Sequence, residues 1–554
     1  MRFRLRKGDV QIQGVVLQPD FKKRALALAG LAGALTMAGL MTSCTTVKPT
    51  VPVVVAGGTA TTPPPSPREF RAAWVSTVAN IDWPTKPNLN GAQQRAEAIA
   101  ILDRAKSLNL NAVVLQVRPS ADAIYPSTLE PWTEYLTGAQ GAAPQPMYDP
   151  LKFWVTEAHA RGLQLHAWFN PYRARHSGAK SPVSGSHIAK TNPAAVKSYG
   201  GFLWMDPGEE SASKQTLDVV LDVVRRYDID GVHIDDYFYP YPIEAAGAAG
   251  EAAALDGKGG NGTKTAAKPE LDFPDQPAWQ RYLLAGGKLD RAGWRRQNVN
   301  HLIEALYTGI HREKSWVLFG ISPFGLGKPA LRPAGINGFS QYDKLYADAE
   351  LWLQNGWLDY LSPQLYWAIA PAPQAYPVLL DYWVAQNSRG RHIWPGLFTS
   401  RVGAPTKSFP PGEILQQIDI TRARPAANGH VHFSMAALME NRKGLSDQLK
   451  ARQYATQALV PASPWLGSAP PGSPVVLAKR EAGAVVLKLA PGKDNTQFAI
   501  WSRYGNEWRF AVAPASRANW SVPDDPVLGA ASAVFVNAVD RLGNESAPLS
   551  VLAK

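Results

Sequence analysis

The stretch DGVHIDDYFYPYP (residues 230–242) joins a short apolar run to two carboxylates, Asp235 and Asp236, and then to a series of aromatic residues. A surface turn would not need the apolar lead-in, and a strand that stays in a core would not end in two charges. Because side chains alternate along a strand, His233 and Asp235 face one side together. The stretch therefore predicts a strand that leaves the core and delivers Asp235 to a cleft, while Asp236 faces the other way unless the strand has already ended.

Seven more runs of β-forming residues occur along the chain, and helical patterns lie between them. Strands that alternate with helices form parallel βαβ units, and eight units in succession close a (β/α)8 barrel. We therefore predict an α/β fold, a TIM barrel over residues 68–459, with the Ala- and Gly-rich segment 243–270 as a flexible insertion in one loop. The eight runs are residues 70–78, 111–119, 163–171, 230–236, 317–325, 359–367, 392–400 and 430–438.

The composition changes after the predicted barrel. A Pro-rich stretch at residues 460–474 predicts a linker. Residues 475–554 then contain short runs such as AVVLKLAP and QFAIWSRY, in which apolar and polar residues alternate as in antiparallel strands. We predict that this segment is a small all-β sandwich similar to a fibronectin type III module. We expect it to fold independently and to serve binding or spacing.

The N-terminal residues predict export and a lipid anchor. The basic FKKR at residues 21–24 precedes an apolar run that ends in small residues, which is the pattern of a secretory signal peptide. The run ends in MTSC, which resembles a bacterial lipobox, and Cys44 is the only cysteine of the chain. We predict a signal peptide at residues 1–43, a lipid on Cys44 and a Pro/Thr-rich tether at residues 44–67. Because Thr45 follows the cysteine, the lipobox resemblance implies the outer membrane, facing the periplasm.

The charge and the aromatic content narrow the class of partner. The formal net charge is +12, and part of it lies in the predicted signal peptide. The rest is spread without a basic block, which argues against nucleic acid as a partner and suits an anionic wall polymer. The 18 Trp and 19 Tyr residues can supply aromatic faces on which sugars stack, although most single ones are expected in the core.

Polar side chains are predicted at the carboxyl ends of the barrel strands, where the active sites of such barrels lie. Asp235 lies near the end of the fourth run, and Asp122 follows the second. A ring of amide, imidazole, indole and phenol groups around carboxylates suits hydrogen bonding to sugar hydroxyls and stacking on sugar faces. The inward-facing candidates are Gln116, Arg118, His166, Trp168, Asn170, His233, Ser362, Gln364 and Tyr366.

Five longer runs occur in this order over residues 68–455, namely REFRAAWVSTVANIDWP, LQVRPSADAIYPSTLEPWTEYLTG, HAWFNPYR, DGVHIDDYFYP and LSPQLYW. They resemble the glycosyl-hydrolase-like family ten, exported bacterial barrels related to glycoside hydrolases. The resemblance implies a glycosidase-like barrel, and members of that family include a division-site lipoprotein that cleaves peptidoglycan glycan strands. From the same runs we add Trp83, Tyr172, Arg173 and Tyr237 to the candidate substrate contacts.

The fourth run is also similar to the α-amylase pattern in which the corresponding aspartate is the nucleophile, which implies that role for Asp235. Those enzymes carry an acid at the end of the fifth strand, where this chain reads FGISPFG without a carboxylate. Glycoside hydrolysis usually requires two carboxyl groups. The partner of Asp235 is therefore Asp236 or Asp122, and the sequence leaves that choice open. The loop acids Asp82 and Glu134 rank behind them.

These observations predict a lipid-anchored glycoside hydrolase that cleaves cell-wall glycan, with peptidoglycan strands as the substrate and no cofactor or metal. Its partners would be the membrane, through the lipid on Cys44, and other proteins of the cell envelope. One alternative is a carbohydrate-binding lipoprotein without turnover, which the missing acid on the fifth strand supports. The other is a metal-dependent polysaccharide deacetylase with His166, His233 and Asp235 as ligands, although the chain has neither HxxxH nor HExxH spacing.

Overall fold

The computed structural model describes residues 62–244, 270–370 and 373–551, together with the backbone of two short paired strands, Val10–Ile12 and Val15–Leu17. The rest of the predicted signal peptide, Cys44, most of the tether and residues 245–269 of the predicted insertion lie outside the described residues. Within the described ranges, no helix is both long and apolar enough to cross a bilayer.

The core of the described chain is one parallel sheet that closes on itself. In spatial order the strands are β7-β6-β5-β4-β3-β2-β1-β9-β8. The last barrel strand of the chain, β9, therefore pairs with the first, β1, which closes the ring in chain order. The two short strands β7 and β8 are separated by Trp394 and Pro395, and they pair with β6 and β9 respectively. They occupy one position of an eight-position barrel, so the predicted barrel is confirmed. The strands are β1 Phe70–Val75, β2 Ala112–Arg118, β3 Gln164–Phe169, β4 Gly231–Ile234, β5 Leu318–Ile321, β6 Tyr360–Leu361, β7 His392–Ile393, β8 Gly396–Leu397 and β9 Gly429–His432.

A helix follows each of the eight barrel positions, as the alternating pattern predicts. Local signals set where these helices begin. The Asn90 side chain accepts hydrogen bonds from first-turn amides of α1. The backbone amide of Asn90 donates in return to the side chain of Gln93, and the two interactions form a capping box. Asp149 caps α2, whose first residue is Pro150. The helices are α1 Gly91–Ser107, α2 Pro150–Ala160, α3 Glu210–Arg226, α4 Arg291–Glu313, α5 Ala349–Asn355, α6 Tyr376–Gln386, α7 Pro411–Arg422 and α8 Leu445–Ala451.

Shorter elements build the loops at the carboxyl ends of the strands. A three-stranded antiparallel sheet lies between β3 and α3, and it is formed by Arg173–Arg175, Val196–Tyr199 and Phe202–Met205. One further helix, Gln276–Leu284, precedes α4. Single-turn helices cover Glu134–Thr137, Ile188–Thr191, Gln341–Lys344 and Met435–Met439, and 3-10 turns cover Val78–Asn80, Pro193–Ala195, Pro329–Leu331, Thr399–Arg401 and Arg442–Gly444.

Large rings fill the inside of the barrel, and glycines on neighbouring strands leave room for them. Gly320 of β5 lies against Tyr360 of β6, and a Cβ at that position would collide with the phenol ring. Gly231 of β4 lies in the same way against the imidazole of His166 on β3. Because interiors are packed at crystal-like density, these pairs fix which strand neighbours which.

Two antiparallel sheets follow the barrel. One has the order β10-β11-β14 and the other β13-β12-β15-β16, and a common apolar core lies between them. The predicted all-β segment is therefore confirmed, whereas its likeness to a fibronectin type III module and the predicted domain boundaries stay predictions. The strands are β10 Val475–Glu481, β11 Ala484–Ala490, β12 Asn495–Tyr504, β13 Glu507–Pro514, β14 Asn519–Pro523, β15 Ala533–Asp540 and β16 Leu549–Ser550.

The all-β segment contacts the face of the barrel where the strands begin. Gln497 Nε2 donates to the carbonyl of Gly162, just before β3, over 2.9 Å. Arg541 forms an ion pair of 2.7 Å with Asp228, just before β4. Leu459 packs into an apolar cluster with residues of β12, β13 and β15. The opposite face, where the strands end, therefore remains available for a site.

The packing of Gly320 against Tyr360 generates a stability prediction. Gly320→Ala should lower the free energy of unfolding by about 1–3 kcal/mol or more, because the added methyl overpacks the barrel interior. Urea denaturation followed by circular dichroism measures this. Gly185→Ala is the control, because nothing lies within 4 Å of the Cβ that it would add, and it should change stability by less than about 0.5 kcal/mol. Equal effects of the two substitutions would contradict the packing role.

Candidate active site

Asp235 lies directly after β4, at the carboxyl end of the barrel, and its side chain is buried. Its Oδ2 atom accepts a hydrogen bond from Trp168 Nε1 over 2.9 Å and another from Asn170 Nδ2 over 3.2 Å. The backbone N–H of Tyr237 also hydrogen-bonds to this carboxyl. The end of β3 and the residue that follows the pair therefore fix the orientation of the Asp235 carboxyl.

The environment of Asp235 changes its acidity. Burial raises the pKa of the carboxyl to about 7, and the neighbouring charge of Asp236 acts in the same direction. The positive charge of Arg173 and the hydrogen bond from Trp168 oppose that rise. A carboxyl with a pKa near neutrality can both hold and release a proton under physiological conditions, which general acid–base catalysis requires.

Asp236 belongs to the same end of the barrel. Because β4 ends at Ile234, strand alternation no longer applies to Asp236, and the side chain is buried. Tyr241 donates its hydroxyl hydrogen to Asp236 Oδ2. Burial raises the pKa of Tyr366 well above its usual value, and the charge of Asp236 adds to that rise. Asp235 and Asp236, the carboxyl pair, therefore lie within electrostatic reach of each other.

A chain of hydrogen bonds lies inside the barrel below this pair. Trp74 Nε1 donates to His233 Nε2 over 3.1 Å, and because an indole N–H can only donate, His233 carries its proton on Nδ1. That N–H donates to Tyr360 Oη over 3.1 Å, and Tyr360 donates to His166 Nδ1 over 2.9 Å. Burial lowers the pKa of His166 to about 4 and that of His233 well below its usual value, so both rings stay neutral at physiological pH.

This chain changes the interpretation of His166 and His233. Both side chains are fully buried in the barrel interior, and their ring nitrogens bond to other side chains. This placement does not fit the predicted role of His166 and His233 as substrate contacts. It does not fit the alternative either, in which the two histidines bind a metal together with Asp235. Among the residues that the structure describes, no group of three or more His, Cys, Asp or Glu side chains is arranged to hold a metal ion. The two histidines instead support the site from below.

Arg118 and Gln116 at the end of β2 also bond within the protein. Both side chains are completely buried. Arg118 forms a two-pronged ion pair with Glu130, with Nε 2.8 Å from Oε2, and Nη1 donates to the carbonyl of Asn170 over 2.7 Å. Gln116 Oε1 accepts from the amides of Thr77 and Val78. Their predicted role as substrate contacts is therefore replaced by the positioning of the loops after β1, β2 and β3.

Trp83 and Tyr172, two further predicted substrate contacts, face the protein core. Trp83 Nε1 donates to the carbonyl of Gln94 over 2.9 Å, and its ring packs edge-on against Trp154, so it has no exposed face for a sugar. The Tyr172 hydroxyl lies 2.9 Å from Ser213 Oγ on α3. A resemblance in sequence does not indicate which way a side chain points, so the predicted role of Trp83 and Tyr172 as substrate contacts is replaced by one in core packing.

The other predicted contacts lie around the carboxyl pair. Trp168 and Asn170 hold Asp235 rather than present open stacking or bonding surfaces. The guanidinium of Arg173 lies over the ring of Tyr237, with its carbon 4.7 Å from the ring centroid. Tyr366 stacks on Phe398, and Gln364 Nε2 donates to the carbonyl of Ser322 over 3.0 Å.

Asp122 is buried in the loop after β2 and is the second candidate for a catalytic partner. Its Oδ1 accepts from the amide of Ser120 over 3.1 Å, and its Oδ2 accepts from Gln140 Nε2 over 3.0 Å. Burial raises the pKa of Asp122 to about 7, and the charge of Glu130 adds to that rise. Asp122 therefore has the acidity of a proton donor, like Asp235.

The two lower-ranked acids have structural partners. Asp82 Oδ1 accepts from the hydroxyl of Ser434 and the amide of Ala436, each over 2.7 Å, so it connects the loops after β1 and β9. Glu134 Oε2 accepts from the amides of Lys180 and Ser181 over 3.0 and 2.7 Å. These contacts suit a role in positioning loops, although burial also raises the pKa of Asp82 to about 6. The choice between Asp236 and Asp122 as the partner of Asp235 stays a prediction.

Three residues of this region were missed by the sequence analysis. Tyr241 bonds to Asp236, Glu130 pairs with Arg118, and Trp74 fixes the tautomer of His233. The aromatic series after the two carboxylates gave a signal for Tyr241. The sequence contains no such signal for Glu130. Its partner, Arg118, lies at the end of β2, and the loop between the two residues has no regular pattern.

Solved structures that are similar to this chain include several glycosidases. The catalytic domain of a β-amylase from Paenibacillus polymyxa aligns with a TM-score of 0.44 and 14% identity, over 70% of this chain and 98% of that one. The endo-β-1,4-mannanase from Thermotoga petrophila aligns with a TM-score of 0.42 and 8% identity, over 87% and 97% of the two chains.

Sequence comparison gives closer relatives. Glycosyl hydrolase YngK of Bacillus subtilis (strain 168) is 37% identical over 506 residues, which cover 87% of this chain and 92% of the relative. Glycosyl hydrolase DigH of Escherichia coli (strain K12) is 30% identical over 444 residues, which cover 74% and 94%. The family described as Glycosyl hydrolase-like 10 matches residues 69–411, and this chain belongs to that family.

Proposed function

We propose that this protein is a glycoside hydrolase that cleaves peptidoglycan glycan strands and is held at the outer membrane, facing the periplasm, by a lipid on Cys44. Membership of a glycosyl hydrolase-like family supports the reaction class. The observation that carries the proposal is the buried Asp235, with a pKa of about 7, held by Trp168 and Asn170 beside a second carboxyl. A basic chain suits a substrate that belongs to an anionic wall.

In the proposed reaction Asp235 stabilises the positive charge that develops on the sugar ring, as nucleophile or as counter-charge, and Asp236 or Asp122 donates a proton to the leaving oxygen. Water then adds to the anomeric carbon, displaces Asp235 where a bond to it has formed, and returns a proton to the same carboxylate. Trp168 and Asn170 keep the Asp235 carboxyl in one orientation throughout. The neutral His233 below the pair adds no competing positive charge, because burial lowers its pKa well below the usual value.

The function is tested by digesting purified peptidoglycan with the full-length protein, using sacculi with and without their stem peptides and identifying the products by mass. We expect soluble saccharides with new reducing ends. Binding to the sacculi without any new reducing end would favour the non-catalytic lipoprotein instead, and this is the outcome that would remove the hydrolase proposal.

Asp235→Asn should lower turnover by about 100-fold or more, because it removes the negative charge that stabilises the developing positive charge on the sugar ring without changing the side-chain volume much. The measurement is the rate of reducing-end release, together with binding to glycan, which should be largely retained. Asp206→Asn is a matched control, since burial raises the pKa of Asp206 to about 6 and this residue has no contact with the carboxyl pair among the described hydrogen bonds. Near-normal turnover by a folded Asp235→Asn protein would exclude the catalytic role.

The raised pKa of Asp235 also predicts how stability depends on pH. The carboxyl ionises near pH ~3.9 in an unfolded chain but near pH 7 in the folded protein. Between these values the folded state retains a proton that the unfolded state loses, so rising pH destabilises the wild type. Asn cannot ionise, so the melting temperature of Asp235→Asn should rise relative to wild type from about pH 4 to about pH 7 and then keep a constant difference. A variant whose relative stability falls over that range would indicate a structural ion pair instead.

The anchor proposal rests on Cys44, which lies outside the described residues. Cys44→Ala should abolish lipid attachment, so the protein should shift from the membrane fraction to the soluble fraction or accumulate unprocessed. Fractionation and mass measurement of the mature N-terminus check this. Wild-type protein that is soluble and carries no lipid would contradict the anchor and leave the hydrolase proposal intact.

A further inference from the structure

Arg173 is a buried arginine that forms no ion pair with any residue that the structure describes. It lies in the short strand Arg173–Arg175 after β3, and only 3% of it is exposed. Three other buried arginines, Arg71, Arg118 and Arg295, each have a carboxylate oxygen at 2.5–2.7 Å. A buried charge without a counter-charge is costly. The exception at Arg173 therefore indicates that a bound anion supplies the missing partner.

Two contacts place Arg173 beside the carboxyl pair. Its guanidinium carbon lies 4.7 Å from the ring centroid of Tyr237, the residue that directly follows Asp235 and Asp236. The side chain of Asn170 connects the two sides, because its Oδ1 accepts from the backbone amide of Arg173 over 2.8 Å and its Nδ2 donates to Asp235 over 3.2 Å. The position of Arg173 is therefore fixed by packing and hydrogen bonds.

The outer end of the guanidinium is available to a ligand. Arg173 Nε donates to the carbonyl of Pro119 over 3.1 Å, which holds the inner end in place. The terminal nitrogens Nη1 and Nη2 donate to no atom of the described chain, and the protein does not enclose them. Two parallel N–H groups on a planar guanidinium match the two oxygens of a carboxylate.

The charges around Arg173 favour a ligand that carries a carboxylate on a sugar. Asp235 and Asp236 would repel such a ligand, and the guanidinium beside them offsets that repulsion. The positive charge of Arg173 lowers the pKa of Asp235, against the rise that burial causes. A neutral sugar would leave the buried cation unpaired. Glycan strands of peptidoglycan offer the required group, since N-acetylmuramic acid carries a lactyl carboxylate that is free wherever no peptide is attached to it.

We propose that Arg173 is a specificity-determining residue that binds, through Nη1 and Nη2, the free carboxylate of an acidic sugar unit seated at the carboxyl pair. The proposal rests on the proposed function and adds to it, because it names the sugar unit and the residue that recognises it. Converting that carboxylate to an amide removes the charge and one acceptor oxygen, so the amide should bind less tightly.

The test measures the affinities for two tetrasaccharides by calorimetry. One probe is alternating N-acetylglucosamine and N-acetylmuramic acid without peptides, and the other is the same tetrasaccharide with its carboxylates converted to methylamides. Each protein also carries Asp235→Asn, so that the probes stay intact during the titration. With Arg173 present, the carboxylate form should bind about tenfold more tightly or better, because a hydrogen bond to a charged group is stronger than one to a neutral group.

Arg173→Gln should reduce this affinity ratio to about one, because Gln offers no charge to the carboxylate. Arg173→Lys keeps the charge without the planar fork, so it should retain a smaller preference for the carboxylate form. Melting temperatures show whether each variant is folded. If Arg173→Gln does not fold, the two probes on the protein that retains Arg173, together with Arg173→Lys, still decide the outcome.

Arg161→Gln is the control for the loss of one positive charge. Arg161 lies at the end of α2, on the face where the strands begin, and pairs with Asp103 and Glu157. It should leave the affinity ratio unchanged. Equal affinities for the two probes, no binding of either, or a preference that persists in Arg173→Gln would overturn the role of Arg173. A charge preference in a protein whose wild type releases no reducing ends from glycan would refute the hydrolase proposal and keep that role.

Discussion

The closure of the parallel sheet, through the pairing of β9 with β1, is the constraint on which the rest of the structure depends. A closed parallel sheet has no free edge, and all its strands end on the same face. Residues that are distant in the chain, such as Trp168 on β3 and Tyr366 after β6, are therefore brought around Asp235 and Asp236 without any long-range sequence signal. The closure also needs an interior in which ring and glycine alternate between neighbouring strands, because a second large side chain at Gly320 or Gly231 would push those strands apart.

Much of the architecture could be predicted because it depends on periodic patterns. The eight strands and the helices between them follow from the two periods of apolar residues. The inward direction of His233 and Asp235 follows from the alternation of side chains along a strand. The seventh position is irregular, because Pro395 removes a backbone donor and divides the strand into β7 and β8. The orientation of Asp236 could not be predicted, because it depends on the residue at which β4 ends, and strand ends are set by tertiary contacts.

The roles of individual site residues were harder to predict, since polarity does not separate a residue that binds substrate from one that holds a loop. Arg118 is an example. Its charge and position suggested a sugar contact, yet Glu130, two carbonyls and the sulfur of Met205 together use all of its N–H groups. Trp83 is a second example, because an indole within a run that resembles a family can equally well be a core residue. A buried charge needs a partner, and the partner's position in a loop is set by three-dimensional closure rather than by sequence spacing.

The position of the all-β segment has a consequence for the orientation of the protein on the proposed lipid anchor. Arg68 lies just before β1, where the chain enters the barrel. It forms an ion pair of 2.6 Å with Glu545 of the all-β segment, and the hydroxyl of Ser66 donates to the same glutamate. The entering chain and the all-β segment therefore share the face where the strands begin. Whatever holds the N-terminal part of the chain would pull on that face, and the opening that surrounds Asp235 would point away from the point of attachment, toward polymer that lies at a distance from the membrane surface.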